Sequence, residues 1–223
     1  VKYLKKINLD YEDKENLKNK ISIIKKDNIY KIKGSSFNAN KLIENLLKSN
    51  TKSKNLLNGK NRLEIDVNKT YIDKLNVINN LKGYLVLNGN DVFEANIESK
   101  FSKKEEIKFT IKTSADEKIT TLFSAKAKPL VNRYDFIKGF DEGSLDFYSI
   151  KKSNKTSSTL KIYDFKLKEL PALTKILTLA SLQGIADLLS GEGIRFNEFE
   201  MNFTNENKLM TIDEIYAIGP AIS

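Results

Sequence analysis

The sequence predicts a mainly β protein, an antiparallel meander of about nine or ten strands interrupted by two or three helices. Apolar and polar residues alternate in many segments, a pattern typical of strands with one buried and one solvated face. Turn-forming Asn, Gly and Asp residues separate these segments. Apolar residues at helical spacing occur in only a few places, so strands should dominate the fold.

Four segments carry the clearest alternation. In the segment around Ile65, for example, the apolar residues are separated by Glu64, Asp66 and Asn68. Because successive side chains of a strand point to opposite faces, the apolar members should share one face of the sheet. The positions assigned to apolar faces are Leu63, Ile65, Val67, Phe93, Ile97, Ile107, Phe109, Ile111, Phe199, Met201 and Phe203.

Three segments have helical features. A helix is expected near 38–48, after Gly34-Ser35-Ser36, and a short one after Pro129. The third, predicted at 171–190, is apolar nearly all round, so it must be covered by protein or lipid. It is too short and too interrupted by Lys175 and Asp187 to span a bilayer. We expect it to dock at one end of the sheet.

No linker separates distinct domains. Residues 1–159 are predicted to form the meander with its first helix, and residues 160–223 a strand, the apolar helix and further strands. The chain begins with Val1 and ends within a predicted strand edge, so we expect a continuous fragment of a longer protein.

The composition narrows the chemistry available to the chain. It contains no Cys and no His, which excludes thiolate nucleophiles, disulfides and imidazole bases or ligands. Ser-x-x-Lys pairs occur about as often as chance predicts, and their companion motifs are missing. We therefore expect a protein that is not an enzyme and that uses no cofactor or metal.

The net charge of +9 raises the possibility of nucleic-acid binding. However, 35 of the 38 basic residues are Lys, and these are spread along the chain rather than clustered. Arg, whose planar fork suits phosphate and base edges, occurs only at Arg62, Arg133 and Arg195. Nucleic acid is therefore not an expected partner.

One stretch, residues 160–220, has more specific motifs. It resembles the C-terminal AsmA-like domain of the YhdP/AsmA/TamB group of bacterial envelope proteins. The shared elements are Asp164-Phe165 in a strand, Pro171, Leu179, Leu182 and Gly184 in the apolar segment, Leu188, Gly191 and Gly193 at its end, Phe196 in the next strand, and Gly219-Pro220. The upstream residues resemble the family more loosely.

The resemblance implies an extended, curved antiparallel sheet that forms an apolar groove, with two or three short helices packed at its ends. It implies phospholipid acyl chains as the ligand and a role in moving lipid between the inner and outer membranes of Gram-negative bacteria, with outer-membrane integrity as the consequence. It also implies a periplasmic location and an inner-membrane anchor missing from this sequence.

Two alternatives stay open. The alternation by itself suits a closed sandwich or a helix-covered sheet equally well, and only the resemblance favours an open groove. The chain could also be a structural or adaptor β module that packs against partner envelope proteins without contacting lipid.

Overall fold

Strands dominate the described part of the chain. A computed structural model describes residues 5–47, 59–89, 91–133, 139–168, 193–207 and 209–220. Strands account for 74% of the structure, which confirms the mainly β prediction. The described strands number twelve rather than nine or ten, and two short helices accompany them.

The strands are β1 Lys6–Glu12, β2 Lys18–Lys26, β3 Ile29–Asn38, β4 Lys60–Tyr71, β5 Val77–Asn88, β6 Asp91–Lys100, β7 Glu106–Thr113, β8 Glu117–Ser124, β9 Phe140–Lys152, β10 Lys155–Leu167, β11 Ile194–Glu206 and β12 Leu209–Ile218. The helices are α1 Asn40–Leu47 and α2 Lys128–Val131.

The chain forms two compact units, Val1–Thr113 and Ser114–Ser223, called unit 1 and unit 2 below. Unit 1 holds β1 to β7 and unit 2 holds β8 to β12. Within each unit the strands pair in chain order. The division predicted at 159/160 falls inside β10.

Unit 1 departs from a pure antiparallel meander at one place. Strands β3 and β4 pair in parallel, with Ile32 opposite Ile65, whereas its other adjacent strands pair antiparallel. Parallel neighbours need a long crossover, and α1 follows β3 in the chain before β4. The backbone N–H of Ala39 donates to the Tyr71 carbonyl oxygen at 2.9 Å, which fixes the start of this crossover at the end of β4.

Unit 2 is antiparallel throughout its described strands. Its core is a cluster of buried apolar residues that includes three phenyl rings. The Phe140 and Phe165 ring centroids lie 5.2 Å apart, and those of Phe165 and Phe196 lie 4.9 Å apart in a nearly parallel stack. Ala127 and Val131, beside and within α2, complete the cluster together with Leu145, Ile162 and Ile194.

The three predicted helices compare differently with the structure. Helix α1 lies within the region predicted at 38–48, although Ser35 and Ser36 belong to β3 and it is the Asn38 side-chain oxygen that accepts the Asn40 N–H at 3.0 Å. Helix α2 is a single turn around Pro129. The helix predicted at 171–190 lies outside the described residues. Within the described ranges, no helix has the length and apolar character needed to cross a membrane.

Candidate functional site

The sheet of unit 1 has one apolar face, and the strand registers define it. One aligned row takes a residue from each of the seven strands. Its members are Ile7, Ile23, Ile32, Ile65, Gly83, Ile97 and Phe109. Cross-strand partners in register share a face, so six apolar side chains lie side by side across the whole unit.

Two further rows flank this one on the same face. On one side Leu9 aligns with Ile21, and Val67 with Leu81; on the other, Leu63 aligns with Leu85, and Ala95 with Ile111. We call the three rows together the unit 1 apolar face. It contains the predicted residues Leu63, Ile65, Val67, Ile97, Phe109 and Ile111, and Ile107 continues it along β7 opposite Ser99.

Most side chains of this face are only partly buried. Val67 and Ile111 are 2% and 6% exposed, whereas Leu63, Ile65, Ile97 and Phe109 are intermediate. Towards β1 the exposure rises, to 36% at Leu9. All described strands of unit 1 belong to one sheet, so no second sheet from these residues stacks on the face. Within the described residues, Ile21, Val67, Ala95 and Ile111 of this face are buried, and its other members are intermediate or exposed.

Gly83 interrupts the central row. Its φ is +137°, a backbone conformation that residues other than glycine rarely adopt. A Cβ built there would overlap the carbonyl oxygen of Asn96 on β6. The chain therefore needs glycine between Ile65 and Ile97. The result is a point without a side chain in the middle of the face.

The opposite face of unit 1 is charged in an ordered way. Lys33, Asp66, Lys82, Glu98 and Lys108 lie opposite one another in register on β3 to β7, with the sign alternating at each strand. Opposite charges across strands stabilise a sheet, and like charges would not. This alternation identifies the face that stays in water.

Aromatic and charged groups meet at the end of this polar face. The Arg62 guanidinium lies 3.8 Å from the Tyr84 ring centroid, and the Tyr84 hydroxyl donates to Glu94 at 2.5 Å, which raises the pKa of the tyrosine. Nearby, the Lys60 ammonium lies 4.5 Å from the ring centroid of Phe93, which occupies an irregularity between β5 and β6. Among the residues predicted for the apolar faces, Phe93 therefore has a ring that lies beside a cation, the Lys60 ammonium.

Unit 2 has its own apolar rows. One runs through Leu122, Phe147, Leu160, Met201 and Ile215, one residue from each strand. Beside it, Leu145, Ile162, Phe199 and Ala217 align. The predicted residues Phe199, Met201 and Phe203 are half-buried here, and Ile215 on β12 is 56% exposed.

Some of the residues in the 160–220 stretch that carry the family resemblance lie in the described part of the chain. Phe196 is buried in the phenyl stack, and Gly193 has a φ of +83° beside the Leu167 carbonyl oxygen. Gly219 is buried against Arg195, and Pro220 is exposed. Pro171, Leu179, Leu182, Gly184, Leu188 and Gly191 lie outside the described residues.

The carboxylates of Asp13 and Asp141 each accept contacts from several groups near the ends of strands. Asp13 accepts hydrogen bonds from Asn38, from the backbone N–H groups of Leu17 and Glu15, and from Asn19. These bonds, with Asn38 contributing most, lower the pKa of Asp13 from 3.8 to about 2. In unit 2, Lys128 and Lys168 each lie 2.7 Å from Asp141 and hold its pKa well below the ordinary value.

The sequence predicted only about half of the residues that form these apolar rows. Ile7, Leu9, Ile21, Ile23, Ile32, Leu81 and Leu85 in unit 1, and Leu122, Phe147, Leu160 and Ile215 in unit 2, also lie in the apolar rows. The alternation of Ile7, Leu9 and Tyr11 was a usable signal. Along β2 the Ile23-Ile24 pair conceals the period, and Gly83 conceals it along β5.

Across the described ranges, no group of three or more Asp or Glu side chains could hold a metal ion. Comparison of the chain with known protein families, with characterised proteins and with solved structures found no match.

Proposed function

We propose that this chain is a non-enzymatic lipid-binding segment of an AsmA-like envelope protein, which shields phospholipid acyl chains on the apolar face of its sheet. In this proposal it acts in the periplasm as part of a longer protein anchored in the inner membrane. Its role there is to carry phospholipid towards the outer membrane and so maintain that membrane's integrity.

The observation that carries the proposal is the central row of the unit 1 apolar face. Neighbouring strands lie about 4.8 Å apart, so a row across seven strands extends over roughly 29 Å. A lipid chain occupies about half of a hydrocarbon core about 30 Å thick, or roughly 15 Å. The row is therefore long enough to cover an acyl chain along its full length.

The energetics favour such a surface. The transfer of each methylene from water to an apolar surface is favourable by about 0.8 kcal/mol. Moving a phospholipid with about thirty methylenes freely through water would therefore cost on the order of 25 kcal/mol. A half-buried row of Ile and Phe offers apolar contact without requiring a core to open. The alternating charges on the opposite face keep the sheet solvated.

Site-specific photo-crosslinking tests the proposal. A photoreactive residue replaces Ile65 or Phe109, and the protein is incubated with vesicles of phosphatidylethanolamine and phosphatidylglycerol. Glu64 and Lys108, each next in sequence and on the polar face, provide matched controls. We expect lipid adducts at Ile65 and Phe109 and none at the controls, measured by mass spectrometry of the intact protein.

Equal lipid capture on both faces, or none on either, would contradict the proposal. Protein adducts at Ile65 without lipid adducts would favour the adaptor function instead.

A further inference from the structure

Charged residues are divided unequally between the two faces of unit 1. Every Asp and Glu in β1 to β7 occupies a strand position of the polar face, as Asp66 and Glu98 do. The strand registers place three lysines on the unit 1 apolar face, namely Lys5, Lys25 and Lys69. Within the strands, no carboxylate on that face balances their charge.

Two of these lysines lie side by side. The Lys25 N–H donates to the Lys5 carbonyl oxygen at 2.9 Å, and the register of β1 with β2 sets the two residues opposite each other. Like charges in that relation destabilise a sheet. On the polar face the same two strands place Asp10 opposite Lys20, with carboxylate and ammonium 3.2 Å apart. The Lys5–Lys25 pair therefore lacks the counter-charge that the polar face provides.

The described residues supply that counter-charge from no other direction. None of their carboxylates lies at salt-bridge distance from Lys5 or Lys25. Asp27, in the turn that follows β2, is the nearest acidic residue to Lys25 in sequence, yet it is exposed and forms no ion pair with it. Strands β1 and β3 flank Lys25 on both sides, so the interior of the sheet leaves this lysine without a carboxylate. An anion from outside the chain would complete the pair.

Lys25 also lies where the polar part of a lipid would meet the apolar rows. It follows Ile23, the β2 member of the central row, by two residues, and both it and Tyr30 are half-buried. The Lys25 ammonium lies 5.3 Å from the Tyr30 ring centroid, and Tyr30 aligns with Leu63 on the next strand. Tyrosine combines an apolar ring with a polar tip. Across β2, β3 and β4 this row therefore changes from cationic to amphipathic to apolar, the order of phosphate, glycerol and acyl chain in a phospholipid.

We propose that Lys25, together with Lys5, binds the phosphate of a lipid whose acyl chain lies along the unit 1 apolar face towards β7. The proposal rests on the proposed function and adds two things to it: the substrates are lipids that carry a phosphate, and they bind in one orientation. From Ile32 on β3 to Phe109 on β7 the central row covers four strand spacings, about 19 Å. An acyl chain of roughly 15 Å fits within that length while its phosphate stays beside Lys25.

Lys69, at the other end of the face, is the matched comparison. Its ammonium also lies near a tyrosine, 4.8 Å from the Tyr71 ring centroid. However, Lys69 is exposed, and its partners in register are the polar residues Ser36 and Asn79. Its row does not lead into apolar side chains, so a phosphate there would be separated from the central row.

Lipid capture at Phe109 tests the proposal. A photoreactive residue replaces Phe109, and the protein is mixed with phosphatidic acid or with diacylglycerol of the same acyl chains, each in micelles of a neutral detergent. We expect more adducts with phosphatidic acid, counted by mass spectrometry of the intact protein. Lys25→Gln should lower phosphatidic acid capture about threefold to tenfold, the range for a partly screened charge contact, and leave diacylglycerol capture unchanged. Lys69→Gln makes the same charge change and should behave like wild type.

The orientation has its own readout. Phosphatidic acid with a diazirine at the end of an acyl chain is bound to the protein without the photoreactive residue, and labelled peptides are mapped after irradiation. We expect labels on β6 and β7 with wild-type protein, and labels spread over all seven strands with Lys25→Gln. Circular dichroism establishes that each variant is folded.

The results separate this inference from the function on which it rests. Adducts of neither lipid at Phe109 would contradict both. Equal capture of the two lipids, or phosphatidic acid capture that Lys25→Gln leaves unchanged, would overturn the phosphate site while the apolar face still binds lipid. Labels on β1 to β3 would overturn the orientation. An excess of inorganic phosphate that abolished capture, where chloride of equal ionic strength did not, would make the pair a site for the free ion instead.

Discussion

Units 1 and 2 use the same strand pattern but distribute their apolar side chains differently. Unit 2 buries Phe140, Phe165 and Phe196 in one cluster, with each ring at most 4% exposed. Unit 1 spreads smaller Ile, Leu and Val side chains over seven strands, and most stay half-buried. Alternation makes an apolar face in both units, but only in unit 2 does it lead to a concentrated aromatic core.

Backbone residues with positive φ lie beside this cluster. Ile162 and Phe165 are three residues apart and would point to opposite faces of a regular strand, yet both belong to the core cluster. Asp164 between them has a φ of +52°, and Glu142 and Gly143 on β9 also have positive φ. The register of β10 with β9 and β11 stays the same through this point. The difference between the units therefore predicts where substitutions cost most.

The largest effect should come from the phenyl stack. Phe165→Ala removes the middle ring and leaves a cavity, so we expect a loss of about 3–5 kcal/mol in the free energy of unfolding. Ile65→Ala on the unit 1 apolar face should cost about 1–2 kcal/mol, because that side chain is only partly buried. Urea denaturation followed by circular dichroism measures both.

Phe123→Ala is the matched aromatic control within unit 2, where the ring is 38% exposed, and its expected cost is about 1 kcal/mol or less. If Ile65→Ala cost as much as Phe165→Ala, the unit 1 apolar face would be a second core, and the contrast between the units would fail.

A glycine in the central row should give the next largest effect. Gly83→Ala places a Cβ against the Asn96 carbonyl oxygen at a positive φ, so we expect about 1–3 kcal/mol of destabilisation. Gly59 also has a positive φ, of +71°, but a Cβ there would meet no atom within 4 Å. Gly59→Ala should therefore cost less in the same urea titration, and equal costs would mean that the clash with β6 is relieved by movement of the strand.

These positions show what the sequence can and cannot predict. Alternation predicted the strand class and the common face of Leu63, Ile65 and Val67, because period two is a local property. It could not predict that Ile65 aligns with Ile32 in a parallel pair, since register depends on partners distant in sequence. Nor could it predict the Phe140–Phe165–Phe196 stack, because Phe165 meets Phe196 through the register of β10 with β11, a strand distant in sequence. The division of the chain after Thr113 has no compositional signal either.

Acid should affect unit 1 through Asp13. Its pKa is about 2 when folded and 3.8 ordinarily, so it contributes stability above about pH 4 that is lost as the pH falls towards 2. Asp13→Asn removes this titration. We expect the variant to be less stable than wild type at pH 7, and the difference to shrink progressively between pH 4 and pH 2.

Urea midpoints measured at pH 7, 5, 4, 3 and 2 for both proteins check this expectation. A difference that stays constant over the whole range would mean that the carboxylate charge of Asp13 contributes nothing to the hydrogen bonds at the β1–β2 turn.

The smallest effects should come from the charged faces, and here too the units differ. In unit 2 the Lys161 ammonium lies 2.7 Å from Glu200, with side chains 36% and 25% exposed, and this contact lowers the pKa of Glu200. In unit 1 the Lys31 ammonium lies 3.8 Å from Glu64, with side chains 57% and 39% exposed. Solvent screens the second pair more strongly.

We therefore expect Lys161→Met to lower the urea midpoint slightly and Lys31→Met to leave it unchanged. In 1 M NaCl the effect of Lys161→Met should diminish, because the screening length falls to about 3 Å. A shift for Lys31→Met as large as that for Lys161→Met would show that exposure does not separate the two pairs, and that the charged face of unit 1 contributes to stability as well as solvation.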